Sequence, residues 1–241
     1  MNVKLSALAL GITLAYGATA AMAAEAYIEQ SGNFSTASID QYNNQGTDVE
    51  ARITTSGSGN NHSIEQTRSD RVWATVNSPG SLNTVTIEQN RVNYGGAQVY
   101  QAASASSVDI NQGGSNGSWP FYIGSSGTSQ WAFVNQTSGW GHDASIIQRG
   151  HMVEAKVNQS GTGHTANVDQ YGNGGTFNNA NITQEGALQY ASVKQSGAGL
   201  TANVTQRGLG NVALVDMTGN GHTATVIQTG WNNVARVNQA N

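Results

Sequence analysis

The sequence predicts an all-β protein, a β-solenoid of stacked strand-turn-strand coils whose strands are parallel and in register. Two observations predict this fold: a short motif that recurs almost from end to end of the 241-residue chain, and a spacing of 11 residues between most of its copies. In the clearest copy, Ala166, Val168 and Gln170 alternate with polar residues, and a Gly-containing turn follows. Such alternation is typical of a half-buried β-strand.

The last position of the motif is the most regular one. The motif aligns in nineteen windows, and this position holds Gln in fifteen of them; Thr55, Ser78, Ser125 and Met217 hold it in the other four. We predict that the glutamines form a structural ladder, with side-chain amides hydrogen-bonded from coil to coil. The predicted ladder residues are Gln30, Gln41, Gln66, Gln89, Gln101, Gln112, Gln136, Gln148, Gln159, Gln170, Gln184, Gln195, Gln206, Gln228 and Gln239.

The apolar positions of the motif predict a core between two sheets. Ala stands four residues before Gln and Val or Ile stands two residues before it, so all three side chains share one face of the strand. Small Ala side chains let two sheets approach closely. In the most regular windows the predicted core residues are Ala155, Val157, Ala166, Val168, Ala180, Ile182, Ala191, Val193, Ala202, Val204, Ala224 and Val226.

The intervals between windows favour a coil over an antiparallel meander. Twelve of the eighteen intervals are 11 residues, and in the first half of the chain they alternate with intervals of 12 to 14. The unit is therefore a pair of strands, and strands two windows apart stack in parallel with Gln on Gln and Ala on Ala. In a meander, neighbouring glutamines would lie at opposite ends of their strands. Nine to ten coils at roughly 4.8 Å each predict a rod about 45 Å long.

Residues 1–23 are predicted to be an export signal that is cleaved. A lysine precedes an apolar stretch, and small residues then end at Ala21-Met22-Ala23, a sequence of the type that signal peptidase cleaves. The repeat domain is predicted to span residues 24–241 and to be irregular around 113–130. Because Pro120 in that stretch lacks an amide hydrogen, we expect one hydrogen bond between coils to be missing there.

The composition argues against several classes of function. Only 10% of the residues are charged and no basic run could neutralise a nucleic-acid backbone, so we expect no nucleic-acid partner. We expect no membrane span, because no stretch beyond the signal is long and apolar enough for a helix and both strand faces carry polar side chains. The five histidines are isolated and no Ser lies in a nucleophile motif, so we expect neither enzymatic activity nor a cofactor.

Two columns of the predicted coil carry unusual side chains. His142 and His164 each lie six residues before a Gln and 22 residues apart, which places them in one column on consecutive coils. Two imidazoles so placed are weak candidates for sharing a metal ion. The alternative is a polar ladder position, which Gln189, Asn211 and Asn233 also fill.

The second column is acidic. Asp40, Glu65 and Glu88 directly precede their Gln on every second strand, so the coil stacks three carboxylates along one outer column. Like charges so placed repel. We hypothesise that these carboxylates tune assembly by restraining it until acid or a divalent cation relieves the repulsion. The alternative is a set of charges that water screens with little effect.

The most regular copies resemble the curlin repeat, Q-x-G-x-x-N-x-A-x-x-x-Q. The resemblance is carried by residues 159–170, by residues 195–206 and by Gly210-Asn211-Val212-Ala213, and it extends over nearly the whole repeat domain. It implies a subunit of curli, either the major subunit or the nucleator. Curli is the extracellular functional amyloid of Gram-negative biofilms, with roles in the matrix and in cell adhesion. The implied partners are further copies of the chain, a second curlin subunit, an outer-membrane secretion pore and periplasmic chaperones.

The two ends of the repeat domain are predicted to lack caps. The first window ends at Gln30 and the last at Gln239, close to the predicted cleavage site and to the last residue. Uncapped strands offer unpaired backbone groups, and a head-to-tail contact between them does not close, so stacking gives a fibre. The predicted function is therefore a secreted fibre subunit that grows by templated cross-β addition. The alternative is a monomeric solenoid, such as an adhesin or an ice-binding or ligand-binding rod at the cell surface, which needs caps and a regular outer array of one residue type.

Overall fold

The computed structural model describes residues 24–44, 48–113 and 129–241, which form strands and turns. The predicted export signal, the Ser125 window and Pro120 lie outside the described residues. Within the described ranges no helix is long and apolar enough to cross a membrane. All of the regular structure in these ranges is β.

Sixteen strands follow one another along the described chain. They are β1 Ala24–Gln30, β2 Thr36–Tyr42, β3 Val49–Thr55, β4 Asn61–Thr67, β5 Asp70–Ser78, β6 Thr84–Asn90, β7 Asn93–Gln101, β8 Ser107–Gly113, β9 Gln130–Trp140, β10 Asp143–Thr162, β11 Thr165–Ala187, β12 Tyr190–Ala198, β13 Thr201–Leu209, β14 Val212–Asn220, β15 Thr223–Trp231 and β16 Val234–Ala240.

Each coil contributes one strand to each of two sheets. Sheet A contains β1, β3, β5, β7, β9, β13, β15 and the second halves of β10 and β11. Sheet B contains β2, β4, β6, β8, β12, β14, β16 and the first halves of β10 and β11. The described strands pair in parallel throughout and form nine coils, numbered here from the amino-terminal end. The predicted β-solenoid is confirmed, and nine coils give a rod about 43 Å long.

The predicted register is also present. Ala166 lies between Ala144 and Ala191 of the adjacent coils, and the Val and Gln positions follow the same register. Identical side chains therefore stack in columns along the rod. The alternating pattern of the motif becomes the alternation of inward and outward side chains on each strand.

The strands on either side of residues 114–128 pair with a partner one window further along the chain than elsewhere. β7 pairs with β9, which places Gln101 beside Gln136, and β8 pairs with β10, which places Gln112 beside Gln148. Strands three windows apart stack here, whereas strands two windows apart stack elsewhere. Both sheets thus continue from one side of this segment to the other with the motif still in register.

The core lies between the two sheets. All twelve predicted core residues lie in it, and none is more than 5% exposed. Columns of Ile and Val extend the core toward the amino-terminal end, with Ile53, Ile64, Ile87 and Ile110 fully buried. β-Branched side chains pack well on a pleated sheet, and full burial of each stabilises the fold by about 1.5–3 kcal/mol.

Stacked glycines form the corner that leads from sheet A to sheet B in the last five coils. They are Gly139, Gly161, Gly186, Gly208 and Gly230, each with a positive φ of between 93° and 123°. A Cβ on any of the first four would overlap the carbonyl oxygen of the glycine in the next coil. These positions therefore require Gly both for the backbone conformation and for the close approach of successive coils.

We expect Gly186→Ala to lower the free energy of unfolding by about 3 kcal/mol, because the new Cβ meets the Gly208 carbonyl in addition to the strain of a positive φ. Gly174→Ala is the matched control, since Gly174 has a φ of 92° and nothing within 4 Å of a Cβ. Its expected cost is the conformational strain alone, about 1 kcal/mol. Urea unfolding of the two variants measures the difference, and equal costs would contradict the role assigned to the stacked corner.

Candidate functional site

In sheet B the glutamine side chains form a continuous hydrogen-bonded chain over the first seven coils. Each Nε2 donates to the Oε1 of the Gln in the next coil, at 2.7 to 3.0 Å. All of these bonds run in one direction, from the amino-terminal toward the carboxyl-terminal coil. The chain joins Gln41, Gln66, Gln89, Gln112, Gln148, Gln170 and Gln195.

Sheet A carries a second ladder with the same direction. It spans coils four to nine, with Nε2 to Oε1 distances of 2.8 to 3.0 Å. Its members are Gln101, Gln136, Gln159, Gln184, Gln206 and Gln228. The two ladders overlap from the fourth to the seventh coil, so the middle of the rod is held along both sheets.

The second amide hydrogen joins the two sheets. Gln170 Nε2 in sheet B donates to the main-chain carbonyl of Glu154 in sheet A at 2.9 Å, and Gln184 Nε2 in sheet A donates to that of Thr165 in sheet B at 3.0 Å. The same contact recurs in nearly every coil. A Gln amide suits this place because it combines two donors with an acceptor oxygen, which neither Glu nor Met provides.

The ladders are interrupted where Gln is replaced. Thr55 and Ser78 break the ladder of sheet A in the second and third coils, and Met217 breaks that of sheet B in the eighth. As a result, Gln30 Nε2 and Gln239 Oε1 have no hydrogen-bond partner among the described residues. The structure thus joins thirteen of the fifteen predicted ladder residues in two ladders, and it leaves out Gln30 and Gln239.

A second polar column lies at the corner that leads into sheet B. Most of its side chains accept the main-chain N–H of the next coil, as in the bond from Asn83 N to Asn60 Oδ1 at 2.9 Å and that from Gln189 N to His164 Nδ1 at 3.3 Å. His142 Nδ1 and Gln189 Oε1 are exceptions, without a partner among the described residues. Only the carboxyl-terminal half of this column was predicted from the sequence. A polar residue six positions before each Gln is the signal that would have found the rest, which is Ser35, Asn60, Asn83 and Ser106.

The two histidines predicted to share a column belong to this corner. The rings of His142 and His164 stack with centroids 5.1 Å apart and planes 11° apart. Their Nε2 atoms donate to the carbonyls of Ser138 and Ser160, at 2.8 and 3.0 Å. Burial is the main cause that lowers the pKa of both rings, and the proximity of His142 lowers that of His164 further.

This geometry favours the polar-ladder interpretation of the histidine pair over the metal site. The lone pairs of stacked rings lie in parallel planes and do not converge on a common point. Each Nε2 is already used in a hydrogen bond to the main chain. Within the described ranges, no group of three or more His, Cys, Asp or Glu side chains could hold a metal ion.

The three carboxylates predicted to tune assembly occupy one outer column. Asp40 pairs with Glu65 and Glu65 with Glu88 on adjacent strands of sheet B. Asn111 follows in the same column, and its Nδ2 donates to Glu88 Oε2 at 2.9 Å. The ion pairs found among the described residues involve other carboxylates.

Comparison with known protein families agrees with this architecture. Residues 175–208 and 200–230 match the model of the curlin associated repeat. Residues 175–230 are therefore curlin repeats. The matched region contains the end of the sheet A ladder and three of the stacked glycines, and the curlin repeat is typical of structural proteins. No curated protein matched the chain.

We expect Gln170→Ala to lower the free energy of unfolding by about 3 kcal/mol, because it removes two ladder bonds and a bond between the sheets and leaves a buried cavity. Gln98→Ala is the control, since Gln98 lies exposed on the outer face of sheet A and its loss should cost less than about 0.5 kcal/mol. Denaturant midpoints compare the two, and a small effect at Gln170 would argue against a stabilising ladder.

Proposed function

We propose that this protein is a structural subunit of an extracellular curli-type fibre, in which copies stack head to tail by templated cross-β addition. The observation that carries the proposal is the nature of the end coils. Among the described residues, β1 and β2 at one end and β15 and β16 at the other each pair with a strand on one side. Ala26, Ile28, Ala37, Ala235 and Val237 pack against the core there but stay partly exposed.

The two ends are complementary in register. If the ninth coil of one copy stacks on the first coil of the next, Ala235 meets Ala37 and Gln239 meets Gln41, as the same motif positions do inside the subunit. In sheet A, Gln228 then meets Gln30. The junction therefore buries the apolar residues of both ends and pairs their open strand edges.

The direction of the ladders supports the same contact. Every ladder bond donates toward the carboxyl-terminal coil, so Gln228 and Gln239 present an amide hydrogen at that end. At the other end, Gln41 Oε1 is buried and has no hydrogen-bond partner among the described residues. Head-to-tail stacking supplies a donor for this oxygen, whereas a contact between two like ends would bring donors to donors or acceptors to acceptors.

The wider setting of the proposal follows from the curlin repeat. A free fibre end orders an incoming chain, which then becomes the new end, and the fibre contributes to the biofilm matrix and to adhesion outside a Gram-negative cell. Export through a cleaved signal at residues 1–23, an outer-membrane pore, periplasmic chaperones and a second curlin subunit belong to this proposal. The outer columns favour a fibre over a monomeric binding rod, because one of them runs through residues as different as Tyr27, Arg52, Thr75, Gln98 and Phe133.

We expect Val237→Lys to slow fibre elongation at least tenfold, because the ammonium group has to be buried when another copy stacks on β16. Val234→Lys on the same strand is the control: Val234 is 74% exposed on the outer face and stays in water in a fibre. Seeded growth measures elongation. Electron cryomicroscopy should show fibres with a repeat of ~4.8 Å and one subunit per nine coils, and a wild-type chain that stays monomeric would overturn the proposal.

For the acidic column, we expect the triple variant Asp40→Asn, Glu65→Gln and Glu88→Gln to assemble with a shorter lag than wild type near neutral pH, because the repulsion between stacked charges is gone. Its lag should also depend less on pH and on divalent cations. The fibrillation lag measured against pH tests this, and a pH response equal to that of wild type would show that water screens these charges.

A further inference from the structure

His62 occupies an unusual place in the core. It stands at the inward position that Ala holds in most coils of sheet B, between Ala37 and Val85 of the adjacent strands. The side chain is 1% exposed. The sequence gives little sign of this exception, because the window keeps the Ile and Gln positions and the usual spacing.

The facing sheet of the same coil also departs from the repeat. In the same coil, sheet A has Thr55 at the position where most coils have Gln. Asn60 Nδ2 donates to Thr55 Oγ1 at 2.8 Å, so Thr55 faces the start of β4. A short side chain on one sheet is thus combined with a large one on the other, and the core stays filled.

The ring nitrogens make no hydrogen bond inside the core. Neither Nδ1 nor Nε2 of His62 has a hydrogen-bond partner among the described residues. The charged groups of β4 and of the strands packed against it lie on the outer faces or at the corner; they are Asp40, Glu50, Arg52, Glu65, Asp70, Arg71 and Glu88. Burial lowers the pKa of His62 to about 4, since the apolar core disfavours the imidazolium, and the main chain of Asn61 opposes this shift only in part.

The coils around His62 are also the ones held by a single ladder. Thr55 and Ser78 interrupt the ladder of sheet A, so only the bonds from Gln41 to Gln66 and from Gln66 to Gln89 join the glutamines of the first three coils. From the fourth to the seventh coil both ladders are complete. A destabilised core is therefore less supported where His62 lies than in the middle of the rod.

We propose that His62 makes the first three coils an acid-sensitive segment, which opens in mild acid while the last three coils stay closed. The opened segment binds a proton near the ordinary pKa of 6.5 and the closed segment only near 4, so opening becomes more favourable as the pH falls through this range. The equilibrium shifts toward the open form roughly tenfold per pH unit, or roughly 300-fold in all. The effect belongs to the subunit itself; only its consequence, withdrawal of β1 and β2 as a stacking surface, rests on the proposed function.

Hydrogen exchange measured by mass spectrometry at pH 7.5 and pH 5 tests the proposal, with rates corrected for the intrinsic effect of pH. In the wild type we expect the opening of β1 to β6 to increase at least tenfold at pH 5, with little change in β12 to β16. The double variant Thr55→Gln/His62→Ala restores the usual pair of the repeat and should lose this response. If the double variant folds poorly, the single variant His62→Ala provides the same test and is also expected to lose the acid response.

His164→Asn is the matched control, because Asn211 shows that Asn fits the same corner position. It should keep the acid response of the first three coils. A wild type without that response, or a response that persists in both His62 variants, would overturn the proposal. Electron microscopy of the same samples records fibre formation separately, so a failure to form fibres counts against the proposed function and not against the role of His62.

Discussion

The solenoid depends on the two hydrogens of the glutamine amide. One is donated along the rod to the next coil and the other across the core to a main-chain carbonyl of the opposite sheet. Both bonds exist only if successive strands are parallel and in register, because a shift of one residue would turn every Gln to the outer face. The same side chain therefore fixes the spacing along each sheet and the contact between the sheets, which explains why one residue type recurs so strictly.

The pattern was sufficient to predict the fold but not all of its contacts. Alternation and the 11-residue spacing specify the core columns, so residues such as Ala166 and Val168 could be placed from the sequence. The pairing of Gln101 with Gln136 could not, because it depends on which strands meet across residues 114–128. The combination of His62 with Thr55 also needed the structure, since the two residues lie in different sheets and each looks like an isolated exception to the repeat.

The exceptions to the repeat divide the rod into segments that differ in the number of glutamine ladders they contain. The middle coils have two complete ladders, whereas Thr55 and Ser78 remove one near the amino-terminal end and Met217 removes the other near the carboxyl-terminal end. Met217 fills the core with a flexible apolar side chain that makes no amide bond. Local opening is expected to start where hydrogen bonds and packing are fewest. The end coils, which the proposed fibre uses for contact, are thus also the ones most free to rearrange.

The shared direction of the two ladders has an electrical consequence. Aligned amide groups add their dipoles, as peptide groups do in a helix. In this protein thirteen side-chain amides point the same way along the rod, which gives the molecule a positive and a negative end independent of its charged residues. A fibre of stacked copies would carry this polarity over its whole length. Two such fibres lying side by side would then attract each other when they run in opposite directions and repel when they run in the same one.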